Sequence, residues 1–120
     1  RIIPTRTWLD MGVPLSLSSD APSMPWWDPQ FTLFCSIVRL SASKKPVSPE
    51  QALTFEEAMV AHTMGGAYAD FAEKRKGSLE PGKLADLIVW HDNPYAAAIN
   101  DLPNLTIDLT MVGGKVVHEV

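Results

Sequence analysis

The stretch GSLEPGKLADL, at residues 77–87, marks the point at which the character of the chain changes. Two glycines and a proline within it are typical of tight turns, because glycine tolerates positive φ and proline fixes its own φ. The stretch runs into ADLIVW, at residues 85–90, whose short apolar run predicts a buried strand. We therefore expect a domain boundary here, which divides the chain into residues 1–76 and residues 77–120.

The chain downstream of this boundary is predicted to be mainly β. Two β-rich runs, at residues 105–112 and 115–120, flank Gly113 and Gly114. Two residues that can adopt positive φ between two strands predict a tight hairpin. A weak helix is expected earlier in this part, over residues 95–99.

Helices are predicted upstream of the boundary. Pro4 suits the first turn of a short helix over residues 5–11, which Gly12 can end with a left-handed cap. Apolar residues at helical spacing predict a second helix over residues 29–40. The members of its expected buried stripe, spaced i, i+3, i+4 and i+7, are Phe31, Phe34, Cys35 and Val38.

Two capping boxes follow, in which a side-chain oxygen and a carboxylate or amide three residues later satisfy the first amides of a helix. They are Ser48 with Gln51 and Thr54 with Glu57. The second box starts a longer helix, which the glycines at residues 65–66 break or kink before it resumes as far as residue 74.

A candidate catalytic residue, Asp20, follows a predicted strand. Residues 13–17, VPLSL, are too short for a helix, and their leucines alternate with other residues as in a strand. In a (β/α)8 barrel, catalytic groups project from the C-terminal ends of such strands. An aspartate in this position also suits an ordinary turn or helix cap, so the residues alone leave both readings open.

The loop that contains Asp20 also contains two tryptophans. Residues 18–29 show no periodicity, and their aromatic content indicates an ordered loop rather than a linker. Trp26 and Trp27 either pack within this loop or line the mouth of a substrate pocket.

The three histidines and the single cysteine favour structural roles. His62 is expected to pack on the inner side of a helix, His91 to occupy a turn, and His118 to lie solvated in the last strand. None of them forms an H-x-H pair or an i, i+4 pair. Cys35, alone in the chain, cannot form an internal disulfide and is expected to be a buried thiol.

Composition excludes several classes of protein. The sequence is 46% hydrophobic and 20% charged, as expected for one soluble globular unit, with a formal charge of −4. Its basic residues are scattered apart from residues 74–76, an expected solvated helix end, so nucleic acid is not an expected partner. No apolar run reaches the ~20 residues that span a bilayer, and no signal peptide is evident, so we expect no membrane partner and a cytoplasmic location.

Five segments, taken in order, resemble the C-terminal part of the amidohydrolase family 3 proteins. They are LDMGVP at 9–14, SDAP at 19–22, LTFEEA at 53–58, GSLEPGKLADL at 77–87 and VGGKVV at 112–117. The resemblance spans nearly the whole chain, and residues 77–87 are its most specific part. One position departs from it, because these proteins read Thr-x-Asn-x-Ala where this chain has Gly65 in place of the asparagine.

The resemblance implies an α+β fold class for this chain, namely the last strand and following helices of a (β/α)8 barrel joined to the C-terminal strands of a small β-sandwich. It further implies that Asp20 lies beside one or two divalent metals, with zinc expected, as a metal ligand and proton shuttle. The family's other metal ligands have no counterpart in these residues. Because the sequence also begins at Arg1 without a methionine, we treat it as a fragment that holds no metal and is inactive alone.

The function implied is metal-dependent hydrolysis of carbon–nitrogen bonds other than peptide bonds, in a small-molecule substrate that the sequence does not identify. The alternative is a non-catalytic regulatory or interaction domain derived from an amidohydrolase. In either case, faces meant to cover absent strands would be exposed, which predicts self-association of the isolated chain.

Overall fold

The computed structural model describes residues 2–23 and 25–120, and within these ranges the fold is α+β, as predicted. Its regular elements, in chain order, are α1 (Thr5–Asp10), α2 (Pro29–Val38), α3 (Phe55–His62), α4 (Met64–Ala69), β1 (Leu87–Trp90), β2 (Ile107–Val112) and β3 (Lys115–Glu119). Two short 3₁₀ helices, Pro49–Gln51 and Ile99–Asn104, complete the set. In the described ranges no helix has the length and apolar character needed to cross a bilayer.

The core lies where α2 packs against α3. Leu33 of α2, Leu53 just before α3 and Ala58 of α3 are buried together. Leu15 and Leu17, from the segment before Asp20, pack against them. Removing such side chains from water stabilises a fold by roughly 1.5–3 kcal/mol for each large aliphatic residue. The segment that leads to Asp20 is therefore held by the core through its leucines.

The predicted buried stripe of α2 is wrong. The buried residues of this helix are Leu33 and Ser36, and Ile37 packs against the same core, whereas the predicted stripe is only half-buried. The cause is that α2 is apolar on two faces, and Phe31 turns towards Trp26 instead, with ring centroids 5.2 Å apart. Periodicity alone could not decide which of the two faces meets α3.

One of the two predicted capping boxes forms. The Thr54 hydroxyl accepts from the Glu57 amide at 3.2 Å, and the Glu57 carboxylate accepts from the Thr54 amide at 2.8 Å. The same carboxylate also forms a bidentate ion pair with Arg6 of α1. Glu57 thus starts α3 and attaches α1 to it.

The capping box predicted for Ser48 and Gln51 does not form. Ser48 has a left-handed backbone with φ 47°, and it makes no side-chain cap. The buried Gln51 instead accepts from the Thr7 amide through Oε1 at 3.0 Å, while its carbonyl accepts from the Thr5 hydroxyl at 2.6 Å. Contacts with α1 have thus replaced the local cap, because Gln51 is buried beside Thr5 and satisfies polar groups at the start of that helix.

The long helix is interrupted as predicted, but two residues before the first of its glycines. Thr63, with φ −108° and ψ −82°, separates α3 from α4. The predicted continuation to residue 74 is wrong, since α4 ends at Ala69 and residues 74–76 lie in a turn. There Lys76 pairs with Asp70 at 2.8 Å.

Both side-chain and backbone hydrogen bonds hold residues 77–87. The Lys83 ammonium donates to the Ser78 hydroxyl at 2.7 Å, and the Leu84 amide donates to the Arg75 carbonyl at 2.7 Å. At the end of the stretch, the Asp86 carboxylate accepts from the Gly113 amide at 2.7 Å. The stretch therefore fastens the distant hairpin turn to the start of β1.

The three strands form an antiparallel sheet in the order β1-β2-β3. The predicted hairpin is confirmed, with positive φ at Gly113 (55°) and Gly114 (79°). The expectation that β1 is buried is wrong, because Ile88 and Val89 are 45% and 46% exposed. Both outer strands have a free edge among the described residues, and Ile88 and Val89 are only partly covered within those ranges.

The segment between β1 and β2 returns to the helices. The predicted helix over residues 95–99 is wrong, since a 3₁₀ helix, Ile99–Asn104, follows a turn instead. Leu102 of this helix is buried, and Gln30 of α2 donates to the Leu105 carbonyl at 3.1 Å. The division of the chain at residue 76 stays a prediction.

Candidate active site

The segment that carries Asp20 is irregular, so the predicted strand over residues 13–17 is wrong for this chain. A strand needs a neighbouring strand to complete its ladder of hydrogen bonds. The described residues supply no such neighbour, and the Leu17 amide donates instead to the Ala61 carbonyl of α3 at 3.2 Å. The segment is thus attached to a helix where a sheet was expected.

Asp20 lies at a tight turn on the surface. Its φ is 56°, in the left-handed region that aspartate tolerates better than most residues. Its carbonyl accepts from the Ser23 amide at 3.0 Å and from the Ser23 hydroxyl. Its carboxylate is exposed and makes no hydrogen bond or ion pair within residues 2–23 and 25–120. The backbone is therefore fixed while the acid group remains available.

The metal implied by the resemblance does not fit the residues present. Within the part of the chain that the structure describes, no three His, Cys, Asp or Glu side chains come close enough to hold a metal ion. Tetrahedral zinc sites use three or four protein ligands, and Asp20 offers one carboxylate. Asp20 and the other described residues therefore do not make up such a ligand set.

The two tryptophans after Asp20 differ in their surroundings. Trp26 packs against Phe31, whose ring also lies 6.4 Å from that of Phe34. Trp27 is 73% exposed and lines an open hollow of about 460 Å³ with Pro22 and Pro25. Trp26 therefore packs against α2 rather than within its own loop, and the ring of Trp27 remains exposed.

The histidines do not gather around Asp20. His62 faces a groove of about 480 Å³ between α3, α4 and β1, where burial lowers its pKa and Nε2 has no partner among the described residues. His91 is exposed beside Asp108, 3.0 Å from Nδ1 to Oδ1, and His118 is exposed on β3. The turn position of His91 and the exposed position of His118 are as predicted, whereas His62 is only half-buried and its Nε2 is not satisfied by the described residues.

Cys35 also has a structural position. Its thiol is half-buried in α2, less than the predicted full burial, and this burial raises its pKa.

One residue near the site was missed at the level of sequence. Gly65 was noted only for the side chain it lacks, yet a Cβ built on it would lie 1.8 Å from the Leu15 carbonyl oxygen. The sequence indicates only that glycine stands at a position where the resemblance predicts asparagine. The fold shows that the missing side chain leaves room for the backbone of Leu15.

Comparison with known proteins identifies the family of this α+β chain. The sequence model described as "Amidohydrolase family" matches residues 1–118. The chain therefore belongs to the amidohydrolase family, as the resemblance indicated.

Relatives of known name support this assignment. The chain is 32% identical over 119 residues to the N-substituted formamide deformylase of Arthrobacter pascens. The aligned region covers 99% of this chain and 22% of the deformylase. It is 28% identical over 117 residues to the putative amidohydrolase YtcJ of Bacillus subtilis, and the aligned region covers 95% of this chain and 22% of YtcJ. It is 29% identical over 113 residues to the imidazolonepropionase of Flavobacterium johnsoniae, and the aligned region covers 88% of this chain and 25% of that enzyme. The chain thus spans about a quarter of the length of these relatives.

A solved structure shares the fold. The crystal structure of an amidohydrolase from Thermotoga maritima MSB8 superimposes with a TM-score of 0.68 at 23% identity. The match covers 93% of this chain and 24% of that one. Nearly all of the fold described above therefore recurs as one part of a larger protein.

Proposed function

We propose that this chain is the C-terminal part of a hydrolase that cleaves carbon–nitrogen bonds other than peptide bonds in a small-molecule substrate. The family assignment supports this proposal, as do relatives whose names describe a deformylase and imidazolonepropionases. The observation that supports a role for one particular residue is the carboxylate of Asp20, which is exposed and unpaired among the described residues and lies on a turn with a fixed backbone.

Asp20 is proposed to move a proton during the reaction. When water attacks an amide-like carbonyl, a bond forms between the water oxygen and carbon, and the attacking water loses a proton. When the carbon–nitrogen bond breaks, the departing nitrogen needs a proton to leave as an amine. A single carboxylate can accept the first proton and donate it to the nitrogen, and such proton transfer contributes typically 10²–10⁴-fold to rate.

The chain is proposed to act within a longer protein. The resemblance implies a divalent metal, with zinc expected, and one exposed aspartate does not hold it alone, so any further ligands would come from other parts of that protein. In the same context, residues 13–17 would join the last strand of a barrel, and β1 to β3 would join a β-sandwich. We expect the isolated chain to be inactive.

Trp27 is proposed to lie at the mouth of the substrate pocket. It follows Asp20 on the same loop, and its exposed ring lines an apolar hollow with Pro22 and Pro25. An aromatic wall in this position suits substrates whose acyl or amine group is apolar.

The experiment compares two carboxylates of one loop in the full-length protein that contains this chain. With a panel of N-substituted formamides as substrates, Asp20→Asn is expected to lower kcat by about 10³-fold. Asp28→Asn is the matched control, because Asp28 is also exposed and makes no side-chain cap at the start of α2, and it should leave kcat within twofold.

Unchanged turnover in Asp20→Asn would remove Asp20 from the chemistry. Turnover by the 120-residue chain alone would contradict the proposal that it is inactive.

A further inference from the structure

α3 and α4 meet the segment that carries Asp20 at two points. The first is the Ala61 carbonyl, which an uninterrupted helix would pair with the amide of Gly65 four residues later. The helix is interrupted at Thr63, and this carbonyl accepts from the Leu17 amide at 3.2 Å. The interruption thus gives the segment a hydrogen-bond acceptor on the helix.

The second point is the backbone of Gly65 itself. A Cβ at this position would lie 1.8 Å from the carbonyl oxygen of Leu15, 2.9 Å from its carbonyl carbon and 3.4 Å from the Cα of Ser16. Real Cβ atoms do not approach backbone this closely, and neither backbone can yield as a flexible side chain would. Gly65 is buried, so the segment rests directly on the helix backbone.

The neighbouring glycine provides a contrast. A Cβ on Gly66 would meet only the Ser16 hydroxyl oxygen, at 4.0 Å, which is an ordinary contact. Both glycines belong to α4, and helix propensity favours alanine at both. Only at residue 65 does the tertiary contact demand glycine.

We infer that Gly65 is a positioning residue for Asp20. Together with the Ala61 carbonyl, it forms a contact site for residues 15–17. Asp20 follows three residues beyond Leu17. Only three residues of chain separate this contact from Asp20, and Ser23 holds the turn there, so displacement of residues 15–17 is expected to move the acid group. This inference rests on the proposed role of Asp20 in the reaction.

The test uses Gly65→Ala and Gly66→Ala in the complete protein that contains this chain. Displacement of a catalytic group by about 1 Å can cost 10²-fold in rate. Gly65→Ala is therefore expected to lower kcat by 10- to 100-fold with KM within threefold of the parent, and Gly66→Ala to leave both within twofold.

Amide hydrogen exchange gives a readout that does not depend on turnover. In Gly65→Ala, the Leu17 amide should lose its protection while the Ala58 amide inside α3 keeps it; in Gly66→Ala both should stay protected. Loss of protection at both amides in Gly65→Ala would mean a general structural role and would overturn the inference. So would a kcat within twofold of the parent.

The failures of the two proposals are distinguishable. If Asp20→Asn leaves kcat unchanged, the proposed function fails whatever Gly65→Ala does. If Asp20→Asn abolishes turnover and Gly65→Ala does not lower it, the function stands and the positioning role is wrong.

Discussion

Removing the charge of Glu57 should destabilise the fold because one carboxylate serves two elements. It accepts the Thr54 amide at the start of α3 and pairs with Arg6 of α1, 2.7 Å from Nη1 to Oε1. The hydrogen bond from Arg6, followed by that from the Thr54 backbone, lowers the pKa of Glu57 from 4.5 to about 2. Glutamine at this position can still cap the helix but cannot pair with the guanidinium.

The size of the effect follows from this shift. One pKa unit corresponds to about 1.4 kcal/mol, so the shift of Glu57 sets an upper limit of about 3.5 kcal/mol for the stabilisation by its charged form. The Glu57 side chain is 31% exposed, and solvent screening of a partly exposed pair reduces the value. We expect Glu57→Gln to lower the free energy of unfolding by about 1–2 kcal/mol at pH 7.

The effect should depend on pH with a definite sign. The pKa of Glu57 is lower in the folded state than in the unfolded state, so its contribution is fully present above about pH 4.5 and is lost as pH falls towards 2. Urea unfolding of the 120-residue chain, followed by tryptophan fluorescence at pH 7 and pH 3, measures both states. The difference between parent and variant should be smaller at pH 3.

Glu56→Gln is the matched control, since Glu56 lies in the same first turn of α3 and is exposed. It removes the same charge and should change stability by less than about 0.5 kcal/mol. Equal losses for Glu56→Gln and Glu57→Gln, or a Glu57 effect that is the same at both pH values, would refute the reasoning.

Two further predictions concern exposed apolar residues. Trp26→Ala should lower the free energy of unfolding by about 1–2 kcal/mol because it loses the ring of Phe31, whereas the exposed Trp27→Ala should change it by less than about 0.5 kcal/mol. Equal effects in urea unfolding would argue against the different surroundings of the two rings. Ile88→Lys on β1 should reduce self-association of the isolated chain in light scattering, while Ser43→Lys, which adds the same charge on an exposed loop, should not. A parent chain that is monomeric at all concentrations would contradict the second prediction.

Sequence predicted best what short-range chemistry decides. The cap of α3 depends on two residues three apart, Thr54 and Glu57, and the hairpin depends on the positive φ of Gly113 and Gly114. These devices need no partner from elsewhere in the chain. The sequence therefore predicts the start of α3 and the turn between β2 and β3 directly.

Features that depend on distant partners were not readable. Residues 13–17 have the alternation of a strand but lack a neighbouring strand in the described ranges, and Gln51 leaves its local cap for α1. The apolar residues of α2 cover two faces, so its core face is decided by what packs there. For the candidate site, Asp20 could be named from sequence, whereas Gly65 required the path of residues 15–16.

The glycine-rich helix α4 has a thermodynamic consequence for the whole chain. Six residues that include two glycines cannot sustain a helix in isolation, because nucleation is costly and glycine is a poor helix former. One side of α4 is occupied by the Leu15 backbone, and on another Gly77 lies so close that a Cβ would be 2.7 Å from that of Ala67. The stability of α4 therefore depends on its contacts with both neighbours rather than on its own helix propensity.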